Sequence, residues 1–253
     1  MHSLMLWWRI VRLLGQIVGG LLVSVTSFAR GTQQKRHAII RSWSRAVLHQ
    51  AGVDVRAVGF PNDADKPVTL VANHVSWSDI FALNSQHACH FIAKSELKSW
   101  PLAGRLLTNV GTIFIDRNDR KDTHRLKRVV HDLLAAGETV AVFPEGTTSN
   151  GFDVLKFHAS LLEPIVAAEG EVWVVAIRYF RVSDGARTDA PAYIADLSLL
   201  DSLRAIHDVG GVIAELRFLE AIQCAGLNRR EVAQRAEALI RAAVQSESKE
   251  TGC

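Results

Sequence analysis

His74 and Asp79 stand in the run Val71-Ala72-Asn73-His74-Val75-Ser76-Trp77-Ser78-Asp79. The run reads as a buried strand, Val68 to Ala72, that ends in a polar turn. Ser76 or Ser78 then caps a helix entered at Asp79 and continuing through Ile80, Phe81 and Leu83. A histidine at a strand end and a carboxylate at the next helix start can meet across such a turn. The carboxylate accepts a hydrogen bond from Nδ1–H, fixes the tautomer and leaves Nε2 as a base. No nucleophile accompanies the pair, because the chain has no Gly-x-Ser-x-Gly elbow. A His–Asp pair without a serine implies that the substrate brings its own hydroxyl.

Further polar groups gather at the ends of apolar runs. Gly111-Thr112-Ile113-Phe114-Ile115-Asp116-Arg117 ends on a guanidinium, whose planar fork suits a phosphate. Phe143-Pro144-Glu145-Gly146-Thr147-Thr148-Ser149 follows the strand Val140 to Phe143, and Gly146 allows close backbone approach or positive φ. Lys94 lies at a third strand end, in Phe91-Ile92-Ala93-Lys94. His87-Ala88-Cys89-His90 carries metal-capable side chains, but strand alternation sends Cys89 and His90 to opposite faces, so no metal is expected there.

These blocks, in this order, resemble the glycerolipid acyltransferases, best known as 1-acylglycerol-3-phosphate acyltransferases. Asn73-His74-x-Ser76-Trp77-x-Asp79 is similar to the first motif of that family. The blocks ending at Arg117 and Ser149 are similar to its second and third, and Val172-Trp173-Val174-Val175-Ala176-Ile177 stands where the fourth belongs. The resemblance covers about residues 68 to 180. It implies acyl transfer from a thioester, on coenzyme A or acyl carrier protein, to a lipid hydroxyl, with no cofactor. His74 would be the general base and Asp79 its orienter. Lys94, Arg117 and Lys156 would face an anionic head group, and Glu145, Gly146, Thr147 and Thr148 would line the acceptor site, with Glu145 either binding the acceptor or bracing its loop. The chain departs from phosphatidate-forming members in two places. Phe157-His158 displaces the usual small residue after Phe-Lys, in the segment matched by Leu155-Lys156-Phe157. Those members also carry arginine after Glu-Gly-Thr, where this chain has Thr148. A charge-assisted hydrogen bond is worth roughly 1.5–3 kcal/mol, so the departure weakens phosphate recognition specifically. Glu-Gly-Thr-Thr-Ser resembles acyltransferases that complete ornithine lipids, and a lyso-ornithine lipid or other lysophospholipid is the alternative acceptor.

The elements that must position these residues alternate in type. Strands are expected at Val53–Val58, Val68–Asn73, Cys89–Ala93, Thr112–Ile115, Thr139–Phe143 and Glu171–Arg178, with a late one at Glu215–Ile222. Helices are expected from about Asp79, around Leu97 to Leu106, over Lys121–Ala136 with Gly137 as its stop, over His158–Ala168 despite Pro164, and over Arg229–Val244. Residues 181 to 211 read as irregular. The alternation predicts an α/β fold with a mixed, mostly parallel sheet layered by helices.

Charge is distributed unevenly. The formal net charge is +3, yet the first acidic residue is Asp54, and Arg9, Arg12, Arg30, Lys35, Arg36, Arg41 and Arg45 all precede it. A basic, apolar amino terminus on an acidic body reads as a membrane-surface anchor, not a nucleic-acid binder. Leu13 to Phe28 is uninterrupted but shorter than the roughly 20 residues a spanning helix needs. Trp7 and Trp8 beside Arg9 and Arg12 resemble interfacial anchors. Ile39, Ile40, Trp43, Val47 and Leu48 recur at helical spacing. Two helices that dip into one leaflet are expected over residues 1–50, ahead of a catalytic domain at 51–253. A single span and a signal peptide cleaved after Ser27-Phe28-Ala29 are the alternatives. The acyl donors of the resembled family are made in the cytoplasm, which implies a catalytic domain on the cytoplasmic face of the inner membrane. A non-catalytic lipid-binding protein is the contrasting reading, and the intact His–Asp pair argues against it. Cys89, Cys224 and Cys253 form no disulfide framework and fit a reducing compartment.

Overall fold

The structure is a computed structural model and describes residues 2–27, 31–59, 68–99, 103–109, 111–115, 120–168 and 170–246. Arg117 and Asp116 lie outside the described residues, as does the turn at 61–65.

A seven-stranded sheet organises the chain, in the order β1-β7-β6-β2-β5-β3-β4. Its strands are β1 Val53–Val58, β2 Thr69–Ala72, β3 Cys89–Lys94, β4 Ile113–Ile115, β5 Thr139–Val142, β6 Glu171–Arg181 and β7 Val212–Gln223. The pairs β6–β2, β2–β5, β5–β3 and β3–β4 are parallel, β6–β7 is antiparallel, and β1–β7 is parallel. The predicted mixed, mostly parallel sheet is therefore present. β2 and β5 are buried along their whole length, as strands covered on both faces must be.

Helices cover both faces. On one lie α1 His2–Ser27, α2 Gln33–Ala51, α3 Ser78–Gln86 and α7 Leu199–Asp208. They contribute Leu13, Val47, Leu48, Ala82, Leu83, Leu203 and Ile206 to a core that includes Val175, Ile177 and Tyr179 of β6. On the other lie α5 Arg120–Ala135, α6 Glu163–Val166 and α8 Arg229–Gln245, which pack Leu126, Val130, Ile165, Val232 and Ala236 against Val172, Val174 and Ala176. The period of two along β6 divides the two cores. α4 Ala103–Asn109 joins β3 to β4.

Several expectations shift. Residues 181–211 are not all irregular: α7 forms there, held by a capping box in which Ser198 Oγ accepts from Asp201 N and Asp201 accepts from Ser198 N. The stretch from His158 breaks into a 3₁₀ turn, Ala159–Leu161, and the short α6, because Pro164 fits only the first turn of a helix. The carboxyl-terminal strand is longer than expected, at twelve residues.

The amino-terminal helices differ from the paired leaflet insertion expected of them. The apolar stripe of α2 faces inward: Ile40, Val47 and Leu48 are buried, and Trp43 packs edge-on against Phe81 of α3. α2 is also pinned to the sheet, with His37 Nε2 2.6 Å from a Glu138 carboxylate oxygen that His90 Nε2 approaches at 3.3 Å. α1 lies on α2, where Trp43 Nε1 donates to Gln16 O at 2.9 Å. Gly20 is required there, since a Cβ would come within 2.4 Å of the Trp43 ring. Leu13 faces the core, whereas Trp7, Val11, Leu14, Val18 and Leu22 form one outward stripe, each more than half exposed. Among the described residues, no helix is long and apolar enough to cross a membrane.

Candidate active site

The site forms where β2 ends. Asn73 is fully buried and continues the strand with its side chain: its amide donates to Ile177 O at 3.0 Å and its carbonyl accepts from Ile177 N at 2.7 Å. Two hydrogen bonds thus clamp the strand end to β6, and the chain turns immediately afterwards. His74 follows, with a side chain 18% exposed. Its Nδ1 lies 2.8 Å from Asp79 Oδ2, so Nδ1–H donates to the carboxylate and Nε2 is left for chemistry. Its ring stacks on Phe143, with centroids 4.1 Å apart and planes 9° apart, and Phe143 stacks in turn on Phe91. One hydrogen bond and one aromatic face therefore set the ring's position and plane.

The turn between His74 and Asp79 is closed differently from the serine cap expected. The residue before α3 is Trp77, which makes no side-chain cap bond. Asp79 reaches back instead: Oδ2 also accepts from Val75 N at 2.7 Å and Ser76 N at 2.8 Å. The carboxylate that orients the imidazole thus also folds the loop that carries it. Ser76 and Ser78 are buried within this turn.

The Pro144-Glu145-Gly146 turn after β5 completes the enclosure. Glu145 is 2% exposed; Oε1 accepts from His74 N at 2.7 Å and Oε2 from Leu155 N at 2.8 Å. Of the two roles open to it, acceptor contact or loop brace, the geometry gives the brace. Burial raises its carboxyl to about 7; Asp79's charge adds to that, while the two backbone bonds and His74 pull the other way. Gly146 takes φ +70°, the conformation that glycine accepts without strain. Ser149 N donates to His74 O at 2.8 Å, and Tyr193 N donates to Val75 O at 2.9 Å. The Thr148 hydroxyl donates to Tyr193 O, so it is spent on backbone. Thr147, Lys94 and Lys156 are exposed. Lys94 ends β3, two strands from β2, which places its backbone on the order of 10 Å away along the same strand-end edge.

Motif reading did not find Tyr193, which straps the His74 loop through its backbone, or Tyr179, whose hydroxyl lies 2.6 Å from Asp79 Oδ1. A signal for Tyr179 existed. It shares the core-facing parity of Val175 and Ile177, and a buried tyrosine hydroxyl needs a partner.

The sheet's polar, loop-lined strand-end edge thus carries a part-buried histidine held by a fully buried carboxylate. The chain belongs to the acyltransferase family, whose family model matches residues 23–179. It is 39% identical over 170 residues to the 1-acyl-sn-glycerol-3-phosphate acyltransferase of Neisseria meningitidis serogroup B, covering 67% of this chain and 66% of that protein. It is 34% identical over 251 residues to the lyso-ornithine lipid O-acyltransferase of Pseudomonas aeruginosa, covering 96% and 95%. The crystal structure of the 1-acyl-sn-glycerophosphate acyltransferase of Thermotoga maritima superposes with a TM-score of 0.63 at 20% identity, covering 97% of this chain and all of that one. That likeness establishes the fold.

Glu145 links ionisation to stability. Its folded value is raised, so its contribution is full below the unfolded carboxyl value, about 4.3, and is lost as pH rises through about 7. Glu145→Gln should remove this slope. It should also cost about 1–3 kcal/mol, because an amide cannot accept from both backbone N–H groups. Denaturant unfolding at pH 5 and pH 8 checks both; an unchanged slope would assign the pH dependence to other groups.

Proposed function

We propose that this protein is a membrane-surface O-acyltransferase that moves a fatty acyl group from a thioester, on coenzyme A or acyl carrier protein, to the free hydroxyl of a lysolipid. The observation that carries the reading is the His74 Nδ1 to Asp79 Oδ2 hydrogen bond of 2.8 Å, which leaves Nε2 to act from a side chain that is only part buried. Nε2 takes the acceptor's hydroxyl proton as that oxygen attacks the thioester carbonyl. The tetrahedral adduct collapses by breaking the carbon–sulfur bond, and the thiolate leaves with the proton returned by His74. Asp79 stabilises the imidazolium between the two steps. No covalent acyl-enzyme is needed.

The first acceptor we propose is 1-acylglycerol-3-phosphate, giving phosphatidate. The Neisseria relative, 39% identical over 170 residues, supports this. Lys94 and Lys156 supply exposed cations, and Arg117 is the third proposed contact to the phosphate. A lyso-ornithine lipid is the second reading. It is favoured by the Pseudomonas relative, which matches nearly end to end, and by Thr148, whose neutral side chain is occupied by Tyr193 O. The outward stripe of α1, with Trp7 and Trp8 beside Arg12, is the surface we propose lies in one leaflet on the cytoplasmic face of the inner membrane.

Purified protein in vesicles, given labelled palmitoyl thioester with lysophosphatidate and lyso-ornithine lipid in parallel, tests the reading. His74→Ala should lower transfer by about 10²–10⁴-fold without loss of fold. Turnover kept by that variant would remove His74 as the base. Transfer confined to lyso-ornithine lipid would replace the first acceptor with the second. Val11→Glu combined with Val18→Glu should cut vesicle co-sedimentation at least about tenfold, since each apolar side chain withdrawn from lipid forfeits roughly 1.5–3 kcal/mol. Co-sedimentation equal to the parent's would refute the α1 surface.

A further inference from the structure

The His74 interaction uses one oxygen of the Asp79 carboxylate, and the other is held by Tyr179, which lies beyond the four motif blocks. Tyr179 projects from β6 into the core beneath α3 and is 1% exposed. Its hydroxyl lies 2.6 Å from Asp79 Oδ1 and 2.8 Å from Ser78 Oγ, and Ser78 Oγ lies 3.0 Å from Ser76 Oγ. A carboxylate has no proton to give, so the tyrosine must donate to it. Burial, and then Asp79's charge, push the phenol well above its ordinary value, so it remains a donor across the working pH range.

Asp79 is fully buried and receives four donors: His74 Nδ1–H, Val75 N–H and Ser76 N–H on Oδ2, and Tyr179 O–H on Oδ1. The three donors on Oδ2 set where that oxygen sits. Among the described residues, Tyr179 alone bonds the other end, and with it controls the rotation of the carboxylate and the share of charge left facing the imidazole. We propose that Tyr179 is a positioning residue of the reaction: its hydroxyl locks the Asp79 carboxylate, draws off part of its charge, and so sets how firmly His74 holds the proton it abstracts. The proposal rests on His74 being the base. Among the described residues, the titratable groups that face the pair are Glu145 from the turn after β5 and Tyr179 from β6; Phe143 covers the ring face. Arg178, the next charged residue of β6, points to the opposite face, onto Glu215 and the end of α8.

Tyr179→Phe removes one oxygen and keeps the buried ring. Without that donor the carboxylate's charge concentrates on the imidazole side, and the pair grips its proton more tightly. In the full-length protein in vesicles, the acid limb of kcat/KM should move up by about one pH unit, with acceptor KM unchanged. The same upward movement should appear in the NMR titration of the His74 ring, whose signal is the one missing from His74→Ala. Ser78→Ala, which withdraws support from the tyrosine hydroxyl, should move both in the same direction by less, and it serves if Tyr179→Phe does not fold. A fall in thermal stability with both profiles unmoved would make Tyr179 a packing residue and overturn the proposal. The NMR titration needs no turnover. Absence of transfer by the parent protein would therefore sink the acyltransfer reading, while the ring titration would still decide the role of Tyr179.

Discussion

The Asp79 carboxylate is the constraint on which the rest of the site depends. Burying an ionised carboxylate costs several kcal/mol unless its oxygens are satisfied. Here both are, by two amides and an imidazole from the turn after β2 and a phenol from β6. The interaction that offsets the desolvation is the same one that folds the His74 turn and fixes the ring. Loop conformation and catalytic tautomer are therefore one choice rather than two.

The remaining contacts make that turn rigid from outside. Asn73 anchors its start to β6, Glu145 takes the His74 amide, and Ser149 and Tyr193 take the carbonyls of His74 and Val75. The amides of residues 74 to 76 are paired with side chains, and their carbonyls with other loops or, at Ser76, with Asp79 N, so the turn can depart from regular structure without leaving buried amides unpaired. The result is an imidazole positioned at the carboxyl edge of the sheet, where polar side chains from the ends of β2, β3 and β5 emerge together.

The fold was largely readable in the chain because its signals are local. The apolar runs at Thr69–Ala72 and Thr139–Val142 and the helical period of Leu126, Val130 and Leu133, closed by Gly137, each declare their element. Where reading failed, a tertiary partner or a subtle cap decided. α7 was hidden in a polar stretch, although Ser198 and Asp201 form a capping box. The apolar side of α2 looks the same whether it meets lipid or protein, and only the neighbouring α3 shows that it is core. At the site, the His74–Asp79 pairing was legible from spacing. The Glu145 brace and Tyr179 were not, because both join the motif across more than seventy residues of sequence.

The proposed reaction is direct transfer, in which a base positioned by Asp79 activates the acceptor's own hydroxyl and no acyl group is carried on the protein. The most direct measurement is intact mass spectrometry of the protein after rapid mixing with acyl thioester in the absence of acceptor, quenched within the time of one turnover. Direct transfer predicts unmodified protein, with the thioester consumed only once lysolipid is added. A covalent acyl adduct that forms at the turnover rate and is discharged by lysolipid would contradict it.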